Sequence, residues 1–347
     1  MITRPSVRFV PDQRAVRAAE DGEGDRLSGV LDALDRRIVG ALQIDGRASW
    51  ARIAQVLGEP EGVIDRRGRA LLAAGTVRVT GVPAPTAGTI VALRCAPGQE
   101  RLAALALANR SDTRYAHVLA GPLGCLAEID CAPSRLSGLL AGELAQLPGL
   151  VEVNAWTVLR YVRTSVQWQP GLLSAEEREA LTEFDPPPPY APFGELKRAN
   201  RLDRMLLVSL ARDARRTVTE LAAATGLSTT AVHRRVERLR REGRLLVRTI
   251  IDPARLGFVV RAMVSVRCAP RDVDAVAAGL RREPWVRYAS CISGDRQFVA
   301  EVAVPGVDAL HDFLTAAPWL ARVAAVESAL IVGTVKRGGL FTLPEEH

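Results

Sequence analysis

Two halves of this chain repeat one another in order, which restricts the fold to something that can be built twice from one polypeptide. Leu34, Asp35 and Arg36 recur as Leu202, Asp203 and Arg204, and the same offset of 168 carries Gly58 onto Gly226, Arg66 and Arg67 onto Arg234 and Arg235, and Gly75 onto Gly243. Further on the offset becomes 173: Arg94 to Pro97 (RCAP) returns as Arg267 to Pro270, Gly121 falls on Gly294, and Glu128 on Glu301. The second copy therefore carries five extra residues in its connector. An ordered series of this kind marks a duplicated unit rather than chance identity.

Between the copies, Ser174 and Glu177 form a capping-box start for a short helix to about Phe184. Pro186 to Pro189 cannot continue a helix and favour extended polyproline II, so they read as a stiff spacer. The resulting division is a tail over 1–30, a helical module over 31–82, an α/β module over 88–166, the helix and proline-rich linker over 167–196, then the second helical module over 197–252 and the second α/β module over 258–337. No apolar run approaches the roughly 18 residues that a membrane span needs, so the expected setting is cytoplasmic. The cysteines, Cys95, Cys125, Cys131, Cys268 and Cys291, are odd in number and lack C-x-x-C spacing, and the four histidines lie far apart. Reduced thiols, no metal and no cofactor are the expectation.

In the second helical module, Leu202, Met205, Leu206 and Leu210 follow helical spacing to Asp213. Thr217 and Glu220 cap a second helix that Gly226 stops, and Ser228 caps a third running to Gly243. Two short helices joined by a glycine-containing turn make a helix-turn-helix. The following alternating segment to Ile251 reads as a wing or connecting strand. On the third helix Val232, Val236 and Leu239 share the core face, and the opposite face is polar and basic. The DNA-contact set expected on that basis is Thr217, Ser228, Thr229, Thr230, His233, Arg234, Arg235 and Arg238, with Arg235 assigned to a phosphate or a structural carboxylate rather than to a base. The charge supports a double-stranded DNA partner. The chain carries a formal +7, and residues 197 to 248 hold 14 basic against 5 acidic side chains. In the first copy the third helix has Pro60 in place of Ser228, Glu61 and Asp65 in place of Thr229 and His233, and the interior glycines Gly62 and Gly68. That pattern predicts a retained fold with weakened DNA contact.

Each helical module is followed by the order strand, helix, strand, strand, helix, strand, the ferredoxin-like arrangement. In the second copy these are Val260 to Cys268, Asp272 to Arg282, Val286 to Ile292, Phe298 to Val304, Val307 to Ala317 and Val323 to Val335. In the first copy the helices fall near Gln99 to Ala108 and Ser134 to Leu147. Helices cover only one face of such a sheet. The open face needs a partner, and the expectation is that the two copies supply each other's.

The ordered set Leu202-Asp203, Asp213 to Arg215, Glu220 to Ala222, Gly226 to Ser228, Arg235, Gly243, Asp252-Pro253 and Leu256-Gly257 resembles the leucine-responsive/asparagine regulator (Lrp/AsnC) family of prokaryotes. The resemblance covers residues 32 to 165 and 198 to 337. It implies an α+β chain of two winged helix-turn-helix domains, each followed by a ferredoxin-like βαββαβ domain of the RAM type. It also implies a homo-oligomer and an amino acid or related small molecule as effector. The family's glycine loop matches at Gly294 and Asp295, the candidate effector site, although Gln297 stands where a second acid is usual and the first copy keeps only Gly121. Siroheme decarboxylases are similar in architecture, and the enzymatic alternative rests on Arg114, His117 and Arg287 in the corresponding strands. A DNA-silent assembly partner is a third reading, favoured by the first helix-turn-helix and opposed by the second.

Overall fold

The computed structural model describes residues 29–82, 88–147, 149–182 and 200–342. The tetraproline spacer and nearly all of the N-terminal tail lie outside these residues. The first copy opens with helices α1 (Ala33–Ile44), α2 (Trp50–Leu57) and α3 (Glu61–Ala73) and strand β1 (Val77–Val82). Asp32 accepts the amide of Asp35 at 2.8 Å and Ser49 that of Arg52 at 3.1 Å, starting α1 and α2. Then come β2 (Thr89–Cys95), α4 (Glu100–Asn109), β3 (Thr113–Leu119), β4 (Cys125–Ile129) and β5 (Leu150–Arg163). The helix expected from Ser134 to Leu147 is broken into short 3₁₀, α and π turns. Gly138 and Gly142 fall within it, and each interior glycine costs a helix about 1 kcal/mol.

Helix α5 (Ala175–Leu181) ends short of the expected Phe184 and is part of the first copy's core rather than a linker. Trp168, Leu173 and Leu181 are buried with Ile38, Leu42 and Ile53. Glu177 pairs with Arg37 at 2.5 Å, and Arg52 donates to the carbonyl of Ala180 at 2.8 Å. The second copy repeats the plan with α6 (Arg201–Arg212), α7 (Val218–Thr225), α8 (Thr229–Arg241), β6 (Leu246–Ile251), β7 (Val260–Cys268), α9 (Val273–Arg282), β8 (Val286–Ile292), β9 (Phe298–Val304), α10 (Val307–Thr315) and β10 (Val323–Arg337), plus a short β11 (Leu340–Phe341) on β10.

The strands pair in the order β5-β2-β4-β3 in the first copy and β10-β7-β9-β8 in the second, antiparallel throughout. The edges then meet: β3 pairs with β10, and β5 with β8. Eight strands thus close into a barrel and no ferredoxin-like edge is left open, the solution to the edge problem that closure provides. Outward residues pack beneath the helices, Val91 and Leu93 with Leu107 in one copy and Val264 and Val266 with Leu280 in the other. Inward residues of both copies, among them Ile90, Leu126, Met263, Ile292 and Val299, share one interior cluster. The expectation that one chain supplies both halves of the sheet pair is met.

Of the two readings of the segment after the third helix, a wing or a connecting strand, the structure gives a strand that joins the copies. β1 and β6 pair with each other across the copies, from Val77 opposite Ile251 to Val82 opposite Leu246. Each strand also packs on the other copy's helices: Thr249 on β6 donates to the carbonyl of Leu42, and the amide of Ala214 donates to the carbonyl of Val79 at 2.8 Å. Two strands that are hydrophobic on one face and carry free ladder groups satisfy both needs through this ribbon.

Candidate nucleic-acid interface and barrel cavity

Val232, Val236 and Leu239 of α8 are buried against Leu206, Leu210 and Leu221. This leaves Thr229, Thr230, His233 and Arg234 exposed on the opposite face, as the 3.6-residue period requires. Arg234 has no ion-pair partner among the described residues, while His233 lies 3.0 Å from Glu237 one turn on. Ser228 and Thr217 serve as caps, Ser228 accepting the amide of Ala231 at 3.2 Å and Thr217 that of Glu220 at 3.2 Å. The Glu220 carboxylate accepts in return from the Thr217 amide and hydroxyl, which holds it below the usual carboxylate range.

Arg235 and Arg238 were expected at the DNA, but both point to Asp203. Asp203 is almost wholly buried and accepts from Arg235 at 3.0 Å and from Arg238 at 2.9 Å. For Arg235 this matches the structural-carboxylate option. For Arg238 the structure adds an ion pair that the sequence did not suggest, on a side chain that stays 41% exposed. The first copy repeats the Arg235 pair, Arg67 donating to Asp35 at 2.9 Å. Its α3 is a full helix despite Gly62 and Gly68. Gly68 is buried where the Trp50 ring passes, and a Cβ there would lie 2.3 Å from that ring, so this glycine is a packing requirement. The outward face of α3 still differs from α8, with Glu61 and Arg66 exposed and Asp65 bound to Arg69 at 2.7 Å.

The helix-turn-helix units are also clamped reciprocally. Arg47 donates to the carbonyls of Ala214 and Arg216, and its repeat equivalent Arg215 donates to those of Gly46 (2.8 Å) and Ala48 (3.1 Å). Arg215 also stacks 4.1 Å above the Trp50 ring. Sequence reading registered Asp213 to Arg215 as a motif but not what it holds. The signal was available in Asp45-Gly46-Arg47 one repeat earlier, since a motif kept in both copies can pair with itself across a pseudo-dyad.

Inside the barrel, inward positions change character along each strand. They run from Leu119 to His117, from Leu126 to Glu128 and from Val299 to Glu301. At the polar end, beneath the β1–β6 ribbon, lies a cavity of about 240 Å³. Its walls bring together Arg114, His117 and Arg287, which the sequence held in separate strands. Glu301 accepts from Arg287 at 2.5 Å and Arg261 at 2.7 Å, and these two cations hold it well below the usual carboxylate range despite burial. Across the pseudo-dyad Glu128 accepts from Tyr161 at 2.5 Å, with Arg114 3.7 Å away. Burial pushes His117 down to about 3, so it is neutral, its Nδ1 3.0 Å from Thr334 Oγ1. Burial likewise raises the Cys125 thiol to about 12, and all five cysteines are unpaired.

The candidate effector loop lies at the opposite, apolar end of β8 and β9. Gly294 has φ 101, and a Cβ there would stand 2.9 Å from the Trp156 ring. Asp295 is largely exposed and 3.9 Å from Arg296. The loop is tied to the other copy, Ser293 Oγ accepting the amide of Thr157 at 3.0 Å. Among the described residues no group of His, Cys, Asp and Glu has a metal-binding arrangement, and no helix is long and apolar enough to cross a membrane.

Comparison with known proteins identifies both kinds of module. The AsnC-type helix-turn-helix domain matches residues 31–72 and 200–240, and the Lrp/AsnC ligand binding domain matches residues 261–341. The HTH-type transcriptional regulator LrpA of Pyrococcus horikoshii is 32% identical over 114 residues, covering 33% of this chain and 81% of its own length. LrpA of Mycobacterium tuberculosis is 33% identical over 135 residues, covering 38% and 89%. In fold, the crystal structure of the siroheme decarboxylase NirDL aligns over 87% of this chain and 92% of its own with a TM-score of 0.55, at 12% identity. With α+β helix-turn-helix and ligand-binding modules both matched, and relatives above 30% identity spanned over most of their length, the chain belongs to the Lrp/AsnC family of transcription regulators, in a tandem form.

Proposed function

We propose that this chain is a sequence-specific DNA-binding regulator that reads duplex DNA mainly through α8, with α3 contributing little, and that it answers to a small-molecule effector. The observation that carries this is the contrast between two aligned helices. α8 presents Thr229, Thr230, a His233 beside Glu237, and an Arg234 with no ion-pair partner among the described residues, whereas α3 presents Glu61 and Arg66 beside an Asp65–Arg69 pair. Each helix-turn-helix is completed by the β1–β6 ribbon in place of a separate wing, and the interlocked units place both helices at fixed spacing. The closed barrel uses the sheet faces within one chain, so assembly into homo-oligomers runs through outer surfaces. The exposed Asp295 beside Gly294 is the candidate amino-acid contact there.

The test starts from DNA selected out of a random-sequence pool, with affinity measured across a salt series for Arg234→Ala and Arg66→Ala. Loss of a base contact by Arg234 costs about 1–3 kcal/mol and relaxes sequence preference. Arg66→Ala is expected to stay near wild type. Equal losses would overturn the asymmetry, and no loss from either would remove these helices from DNA recognition.

A second reading, a siroheme-decarboxylase-like enzyme, draws on the convergence of Arg114, His117 and Arg287 in one cavity. The cavity of about 240 Å³ lies below the ~300–1,000 Å³ of drug-sized pockets, which weighs against a tetrapyrrole. Visible absorbance after adding siroheme separates the two readings.

A further inference from the structure

The polar end of the barrel holds more positive charge than its own carboxylates neutralise. Five guanidiniums, those of Arg114, Arg248, Arg261, Arg287 and Arg337, face four carboxylates, Glu128, Asp130, Asp252 and Glu301. A further acid on the wall, Asp112, pairs at 2.9 Å with Arg110, which Glu143 shares at 2.5 Å, and Lys336 is the second cation near Asp112, so these two acids and two cations balance and the excess of one remains. The unmatched cation is Arg248 on β6, whose guanidinium donates, among the described residues, to neutral oxygens alone, Ser165 Oγ and the carbonyl of Gly338. Burial and the nearby arginines lower it to about 10. His117, 1% exposed, has no hydrogen-bond partner for Nε2 among the described residues, and the same holds for Nε of Arg248, Arg287 and Arg337. A half-buried cation without a counter-ion and several unsatisfied polar atoms around one cavity are costly, unless a ligand completes them.

We infer that this cavity is a binding site for a small organic acid of net charge −1 with an apolar body, its carboxylate seated against Arg248 under the β1–β6 ribbon. The charge excess is one, which favours a monoanion over a zwitterionic amino acid, whose ammonium would face Arg248, Arg287 and Arg337. The remaining walls supply the rings of Tyr115, Tyr161 and Tyr288 and the side chains of Val82 and Leu246, a surface for an aliphatic or aromatic body. Neutral His117 can offer Nε2 to a carbonyl or hydroxyl oxygen on the same ligand. The site is distinct from the Gly294 loop, which lies at the far end of the strands.

For DNA control the inference rests on the regulator reading. Arg248 belongs to the ribbon that holds both helix-turn-helix units, while Arg287, Arg337 and His117 belong to the barrel. A bound carboxylate would bridge the two bodies and alter the ribbon's freedom, which requires the acid to bind one arrangement better than another.

The experiment titrates the full chain calorimetrically with phenylpyruvate, phenylalanine and inorganic phosphate, then repeats this with Arg248→Met and Arg248→Lys. Phenylpyruvate is expected to bind at least about tenfold tighter than phenylalanine, and Arg248→Met to weaken it by at least about tenfold, with Arg248→Lys between. Arg248→Met should not lower the urea midpoint, because it removes a half-buried charge that no carboxylate matches, which separates lost binding from lost fold. Equal affinity for the amino acid, preference for phosphate alone, or unchanged affinity in Arg248→Met would each overturn the inference. If phenylpyruvate binds as expected but no selected DNA is retained, the regulator reading fails and the site stands.

Discussion

Glu301 and Glu128 occupy equivalent positions of the repeat, yet removing their charges should have very different consequences. Glu301 is 6% exposed and is the shared acceptor of Arg287, itself 5% exposed, and Arg261. Glu301→Gln would leave two closely packed guanidiniums facing each other in the barrel, and breaking a buried pair in this way costs roughly 3–5 kcal/mol. Glu128 chiefly accepts from the Tyr161 hydroxyl, and its cation Arg114 has a second carboxylate, Asp130, at 3.1 Å. A glutamine there keeps an acceptor for Tyr161, so Glu128→Gln should cost about 1–2 kcal/mol. Urea unfolding at pH 7, followed by tryptophan fluorescence, measures both. The pH profile adds a second readout. Glu301 is held below its ordinary value of 4.5, so its stabilisation is present above that value and is lost as pH falls below it. Wild type should lose stability steeply in that acid window, and Glu301→Gln should lose less. Equal destabilisation by the two variants, or an unchanged acid slope in Glu301→Gln, would refute the reasoning.

Gly68→Ala should destabilise by about 1–3 kcal/mol, since its Cβ meets the Trp50 ring, whereas Gly62→Ala on the same helix meets nothing within 4 Å and should stabilise by about 0.5–1 kcal/mol. Thermal unfolding of the two variants gives the signs, and a stabilised Gly68→Ala would contradict the packing. A polypeptide of residues 200–347 alone exposes the β8 and β10 edges and the unpaired β6, so it should sediment as a homodimer rather than a monomer. A folded monomer would show that the closure of the barrel is dispensable.

The helices and strands were legible because each rests on local signals: apolar period, caps at Thr217 and Ser228, and left-handed Gly226 at φ 70. The choice between wing and connecting strand was left open because alternation specifies a strand but not its partner, and β6 finds its own in β1, about 170 residues away in the chain. The ion pair of Arg238 was not legible for a similar reason. Helical periodicity places it on the outward side, while the carboxylate it serves, Asp203, comes from another helix. Gly68 shows the limit of propensity: the cost of an interior glycine was visible, but the tryptophan that needs the space was not. The cavity could not be read at all, since the alternation that brings Glu128, Glu301 and His117 inward says nothing of which strands close the ring.

The positions that agree between the copies and those that differ separate by task. The Asp35–Arg67 pair matches Asp203–Arg235, and the Arg47 clamp matches Arg215, so the contacts that interlock the halves obey the pseudo-dyad. The groups facing outward from α3 and α8 do not, Glu61 standing against Thr229 and Asp65 against His233. Nor does the cavity: Arg114, Tyr115 and Glu128 mirror Arg287, Tyr288 and Glu301, but His117 faces Ser290, and Arg337 faces Thr164. A homodimer must place every residue at two related positions, so a single histidine and an odd charge cannot sit across its axis. Fusion removes that constraint while the symmetric clamps keep the geometry. One chain can then carry two differently charged outward helix faces, those of α8 and α3, and hold one unmatched arginine, Arg248, over a cavity that two identical subunits would have to furnish symmetrically.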